Sequence, residues 1–108
     1  SASGSAPIPR ITRLLVMMRA AAVVHEIQDL DTSTLSGAYR LGVGDIRLPI
    51  PAGAFIAVRF VTLGFNNSGA GYTWELVDRD AATGPRVRLY NADHQLADAT
   101  IDAIVRGL

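Results

Sequence analysis

Hydrophobic and polar positions alternate along much of this chain with period two, the spacing of a strand that buries one face. The most apolar run with strand composition is 54–65, AFIAVRFVTLGF. In extended form it points Ile56, Val58 and Phe60 to one side. Phe55, Ala57, Val61, Leu63 and Phe65 point to the other, and only Arg59 and Thr62 interrupt the run. A strand apolar on both sides is one covered on both sides. The pattern therefore predicts a central strand whose second face meets another layer of the fold or another subunit.

Just upstream, 45–50 (DIRLPI) puts Ile46, Leu48 and Ile50 inward, with Pro49 marking an edge or a strand end. Pro51, Ala52 and Gly53 suit a three-residue hairpin loop, with proline setting the first φ and glycine taking the left-handed third position. That hairpin would set Ile50 opposite Ala54, Leu48 opposite Ile56, Ile46 opposite Val58 and Asp45 opposite Arg59, giving the lone charge of the apolar run a partner. A crossover between two sheets at Pro51 is the rival geometry.

Downstream, 72–77 and 86–90 read as a hairpin around the polar segment 78–85. One register pairs Leu76 with Val87 and Trp74 with Leu89 on the inner face. The same register pairs Glu75 with Arg88 and Thr73 with Tyr90 on the outer face. A slip by one residue would turn Trp74 outward, so the register is well specified. The last segment, 96–106, places Ala97, Ala99, Ile101, Ala103 and Val105 on one face and Asp98, Thr100, Asp102 and Arg106 on the other, which favours a strand. The alternative is a short helix capped by Asp98 and ended by Gly107.

The N-terminal third is less regular. Residues 1–10, rich in Ser, Ala, Gly and Pro, read as a flexible arm before a single domain at 11–108. Segment 11–27 has helical spacing at Leu14, Met17, Met18, Ala21 and Ala22, but the β-branched content of Val16, Val23, Val24 and Ile27 points to one or two strands; a short helix is the alternative. Residues 28–44 are dense in Asp, Ser, Thr and Gly and predict turns, with a short strand among Leu35, Tyr39, Leu41 and Val43. Residues 66–71 predict a surface turn. The expected fold is mainly β: a single-domain antiparallel β-sandwich or partly open barrel behind a flexible arm.

Composition narrows the chemistry. The 108 residues contain no cysteine, which excludes disulfides, thiolate metal sites and a cysteine nucleophile. Ten arginines balance ten acids, so no net charge draws the chain to nucleic acid or to an anionic membrane, and neither is expected as a partner. No run approaches the ~20 apolar residues of a membrane span. Residues 14–18 are too short for the apolar core of a signal peptide. A soluble chain without a targeting segment is expected.

No catalytic, cofactor or metal site is predicted. His25 and His94 sit in no ligand motif; His94 with Asp93, Asp98 and Asp102 is the nearest approach to one and reads as solvated turn and strand residues. Asp29 and Asp31 lack the later ligands of a calcium loop. Asp78 and Asp80 read as turn carboxylates. The residues assigned to a contact surface are Pro7, Ile8, Pro9 and Arg10 of the arm, able to add to a neighbour as a strand, and Phe55, Val61 and Phe65 of the apolar run.

The order GYTWELVDRD, PRVRLYNA and LADATIDAIVRGL resembles the C-terminal hairpin and closing strand of small virion proteins of tailed bacteriophages, of the kind encoded near the major capsid protein. The likeness spans 46–108. It implies a sandwich-like decoration or cement protein, bound as an oligomer to the major capsid protein on the head of the virion and tying capsomers together; the two-faced apolar run adds the expectation that the oligomer is a trimer. A receptor-binding or fibre module of the same virion is the first alternative, and a small cellular β-domain with a small-molecule ligand the second.

Overall fold

The computed structural model describes residues 23–66 and 69–108. The segment 11–22, and with it the choice between strand and helix there, lies outside them, as does the arm 1–10. Among the described residues seven strands follow in chain order: β1 (Val23–Asp31), β2 (Arg40–Gly42), β3 (Asp45–Arg47), β4 (Val58–Phe65), β5 (Thr73–Asp78), β6 (Arg86–Tyr90) and β7 (Thr100–Gly107). They form two antiparallel sheets, one ordered β1-β7-β4 and the other β2-β3-β6-β5. The architecture is mainly β and sandwich-like.

The two sheets close over one apolar core. Ile46, Leu48, Val87 and Leu89 from one side and Ile101 and Val105 from the other are fully buried. Ile27, Phe55, Val58, Leu63, Ala99 and Ala103 complete the cluster. Each of these side chains contributes roughly 1.5–3 kcal/mol on burial if large, so the inward faces of the strands dominate the stability of the body.

The β5–β6 hairpin has the register that its residues dictate: Thr73 with Tyr90, Trp74 with Leu89, Glu75 with Arg88 and Leu76 with Val87. It then bulges, so that Asp78 rather than Val77 meets Arg86. The closing segment is a strand, β7, not a helix. Its alternate residues Ile101, Ala103 and Val105 are buried, with Ala99 just before them.

The run 54–65 is not the centre of the fold. Its strand begins only at Val58 and lies at the edge of the three-stranded sheet, where β7 is central. The expected hairpin with 45–50 does not form either. Pro51 does start a tight turn, with the Ala54 amide donating to the Pro51 carbonyl at 3.1 Å, and Gly53 takes φ +74°. That turn is part of a crossover: β3 stays beside β6 in one sheet while β4 pairs with β7 in the other. A proline-led turn reverses the chain locally in either geometry, so the turn residues alone do not choose the partner strand.

A bulge explains how an apolar run became an edge. The β4–β7 register shifts between Val58 and Phe60, so Val58 faces Gly107 and Phe60 faces Arg106. One extra residue at Arg59 inverts the alternation. Val58 and Leu63 are therefore buried, while Phe60 is 68% exposed. Segment 28–31, expected as loop, instead continues β1 past a register shift between Ile27 and Leu30, where Asp29 adopts φ +52°.

Candidate functional site

The outward face of the four-stranded sheet is a lattice of ion pairs. Arg86 holds Asp45 with two bonds, Nε to Oδ1 at 2.8 Å and Nη2 to Oδ2 at 2.7 Å. Arg47 likewise donates to both oxygens of Asp78, at 3.0 and 3.2 Å, and to the Gly84 carbonyl at 2.9 Å. Arg88 lies 3.6 Å from Asp45 and 3.8 Å from Glu75, and Tyr90 donates to Glu75 at 2.5 Å. The planar guanidinium fork suits bidentate carboxylate pairing of this kind. Asp45 thus finds its partners on β6 and not at Arg59, which is exposed in the other sheet.

These bonds set the protonation of the carboxylates. Hydrogen bonding from Arg86 lowers the pKa of Asp45 and outweighs the opposing effect of burial. At Asp78 burial is the largest influence and acts upward, yet the bonds from Arg47 and from the Asp80 and Arg86 amides together bring the group below its ordinary value. Asp80 is lowered by the Ala82 and Thr83 amides that it caps. The Asp78 and Asp80 carboxylates are both occupied with holding a turn, and neither is an acid–base pair facing a cleft.

A second polar cluster joins the two sheets. Asp98, just before β7, accepts from Arg40 Nη2 at 2.6 Å, from Thr32 Oγ1 at 3.0 Å and from the Gly44 amide at 3.1 Å. Thr32 is fully buried; its hydroxyl also accepts from the Ala99 amide at 3.0 Å, and its own amide donates to the Ala99 carbonyl at 3.0 Å. Burial tends to raise the pKa of Asp98, but Arg40, Gly44 and Thr32 together hold it below the usual value. Gly44 is required here: at φ +65° an added Cβ would lie 2.6 Å from the Ala97 nitrogen and 2.8 Å from the Leu89 oxygen.

The histidine cluster considered from sequence is not assembled. His94 is exposed in the 91–95 turn, its amide donating to the Asn91 carbonyl at 3.0 Å, while Asp98 is committed to the inter-sheet cluster. Asp102 lies on the outer face of the three-stranded sheet and accepts from the Asp29 amide at 2.8 Å. Among the described residues no group of three or more His, Cys, Asp or Glu is arranged to hold a metal ion.

Of the contact residues assigned from sequence, Phe55 is buried, and Val61 and Phe65 pack partly buried against the same core, Phe65 with its ring 5.5 Å from that of Tyr72. The covering layer for that side of the run is thus the chain's own second sheet. Pro7, Ile8, Pro9 and Arg10 lie outside the described residues.

The exposed apolar residues are different ones. Around β2, Leu41 on the strand, Tyr39 at the end of the short helical turn before it and Val43 in the turn after it are all exposed, and among the described residues β2 pairs with β3 alone. On the three-stranded sheet, Val24, Ile56 and Phe60 are exposed. Alternation in 39–43 was the available sequence signal for the first group. For the second there was none, because Ile56, Val58 and Phe60 have the same chemistry, while Ile56 lies ahead of β4 and Phe60 beyond the bulge. No family model, curated protein or solved structure matches this chain.

Proposed function

We propose that this chain is a non-enzymatic structural protein of a phage virion, a decoration or cement protein that binds the major capsid protein on the outer surface of the head as a homo-oligomer, a trimer, and stabilises it. The observation that supports this reading is the exposed edge at β2. Leu41 on β2, with Tyr39 and Val43 on either side of it, presents exposed apolar side chains at a strand edge that has no further partner among the described residues, whereas the neighbouring outward face is closed by its own ion pairs. An unpaired edge with apolar side chains is suited to receiving a strand or an extended arm from another chain.

Co-sedimentation with shells assembled from the major capsid protein of the same virion tests the reading. The chain binds at a fixed stoichiometry, and Leu41→Lys weakens binding about tenfold or more, the effect of losing a central apolar anchor. Absence of binding to shells overturns the proposal. Binding to host envelope or glycan instead would make the chain a receptor-binding module.

A further inference from the structure

The outer strands of both sheets are all bulged. β1 and β4 flank β7, and β2 and β5 flank the β3–β6 pair. Against its inner neighbour each outer strand takes one extra residue: β1 between Ile27 and Leu30, β2 between Arg40 and Gly42, β4 between Val58 and Phe60, and β5 between Leu76 and Asp78. The β3–β6 register runs without a shift. A bulge bends and twists its strand, which spoils that part of the edge as a template for another strand. Each edge is therefore suited to pairing only where it runs unbroken.

The longest unbroken stretch is 60–65, which faces Arg106 through Ile101 without a shift. Its sequence, FVTLGF, has neither charge nor proline, whereas 23–27 carries Glu26 and 73–76 carries Glu75. The Asn66 amide donates to the Thr100 carbonyl at 2.8 Å. By alternation the amides and carbonyls of Phe60, Thr62 and Gly64 also face β7, and those of Val61, Leu63 and Phe65 face away from it. Among the described residues no strand pairs with β4 on that side.

We propose that this edge pairs with the same edge of a second copy of the chain, antiparallel about a two-fold axis at Thr62. Val61 then exchanges hydrogen bonds with Leu63 of the second copy, and Leu63 with its Val61, so that the outward amides and carbonyls of both are satisfied. Thr62 meets Thr62, a favourable cross-strand pair. Phe60, 68% exposed in the single chain, meets Gly64 of the second copy. Nothing in the chain itself comes within 4 Å of the place a Cβ on Gly64 would take, and an aromatic ring laid across an edge glycine stabilises a sheet. On β7, Arg106 stands beside Phe60 and Asp102 beside Gly64. The row across the joined sheets therefore runs Arg106, Phe60, then Gly64 and Asp102 of the second copy, with opposite charges at its two ends. The edge is complementary to itself, which is what a two-fold contact requires. This inference does not depend on the virion reading: it uses β4, leaves the β2 edge to a shell and is tested on the chain alone.

Because the sequence has no cysteine, one introduced thiol can link only to its counterpart in another copy. Directly opposed residues that do not exchange hydrogen bonds have Cα atoms about 4.5 Å apart, within reach of a disulfide. Ile104, beside Thr62 on β7, would lie three strand spacings from its counterpart, about 14 Å, which a disulfide cannot bridge. Under a mild oxidant and at equal concentration of the full chain, Thr62→Cys forms the linked dimer about tenfold or more faster than Ile104→Cys, and than Ala82→Cys in the exposed 78–85 turn. Thr62→Lys, which sets two like charges on the axis, lowers the mass measured by sedimentation about twofold or more. Linkage no faster at 62 than at 82 overturns the proposal. So does equally fast linkage at 104, which assigns the contact to the outer face of the sheet, and so does a mass that Thr62→Lys leaves unchanged.

Discussion

Arg40 donates to Asp98 at 2.6 Å, and this bond ties an edge strand of one sheet to the lead-in of the central strand of the other. With Thr32 and the Gly44 amide on the remaining oxygen, Asp98 gathers three separate stretches of chain onto one carboxylate. The Asp98 side chain is 19% exposed, so its bonds are weakly screened. Asp98→Ala leaves the Arg40 charge and the Thr32 hydroxyl without their acceptor. The expected cost is about 2–3 kcal/mol, on the scale of hydrogen bonds to a charged group, read as a lower denaturant midpoint with unchanged slope.

The same carboxylates predict the acid behaviour. Asp45, Asp78 and Asp98 all have pKa values lowered in the folded protein. A lowered folded-state value means that the unfolded chain binds protons first as pH falls. The stabilisation is complete above the unfolded aspartate value of about 3.9 and is lost as pH drops through it toward the folded values. Denaturant midpoints should therefore be level between neutrality and about pH 5 with respect to these groups and fall below about pH 4. Asp98→Asn should make that acid decline shallower.

How far these features are legible in sequence depends on how many constraints each residue satisfies at once. The β5–β6 hairpin is legible because one register matches Trp74 with Leu89 inside and Glu75 with Arg88 outside. Strand β7 is legible because its alternation runs unbroken from Ala97 to Val105. By contrast, the partner of β4 is not, since Pro51 and Gly53 serve a hairpin and a crossover equally well. Nor is the bulge at Arg59, where both faces of the run are apolar and the lone charge reads equally well as half of a cross-strand pair in an unbroken strand. The Asp98 cluster is invisible for another reason: its members are brought together from sequence separations of 54 to 66 residues.

The misassigned charge gives a direct contrast. Asp45 is bonded by Arg86 at 2.7 Å, whereas Arg59 is in the other sheet. A double-mutant cycle between Asp45 and Arg86 should give a coupling of about 0.5–1.5 kcal/mol, while the cycle between Asp45 and Arg59 should give about zero, as expected for sites without shared partners. A measurable coupling to Arg59 would restore the hairpin pairing of 45–50 with 54–65.

Two packing variants test where the core lies. Leu89 is fully buried between the sheets, and Leu89→Ala should cost about 2–5 kcal/mol. Phe60→Ser, in the described sheet's exposed row, should cost less than any such core truncation, for Phe60 is 68% exposed on the side away from the core. Thermal or chemical unfolding followed by Trp74 fluorescence separates the two.

Gly44→Ala combines a left-handed φ of +65° with contacts of 2.6 to 2.8 Å to the Ala97 and Leu89 backbones. Its cost should exceed the about 1 kcal/mol of an ordinary glycine replacement at an incompatible backbone position. It should also disturb the Asp98 cluster, seen as altered amide exchange at Ala99.

The central claim, that this body stabilises an assembled shell, is tested most directly by the rupture temperature of capsid shells with and without the chain. A protein that binds the intact shell and not its dissociated subunits shifts the equilibrium by mass action, by about 2.7 kcal/mol per site at a hundredfold excess over Kd. The predicted result is a rupture temperature that rises with added protein until the sites are full and then stays level, and that rises less with Leu41→Lys. A rupture temperature unmoved by saturating protein would contradict the account.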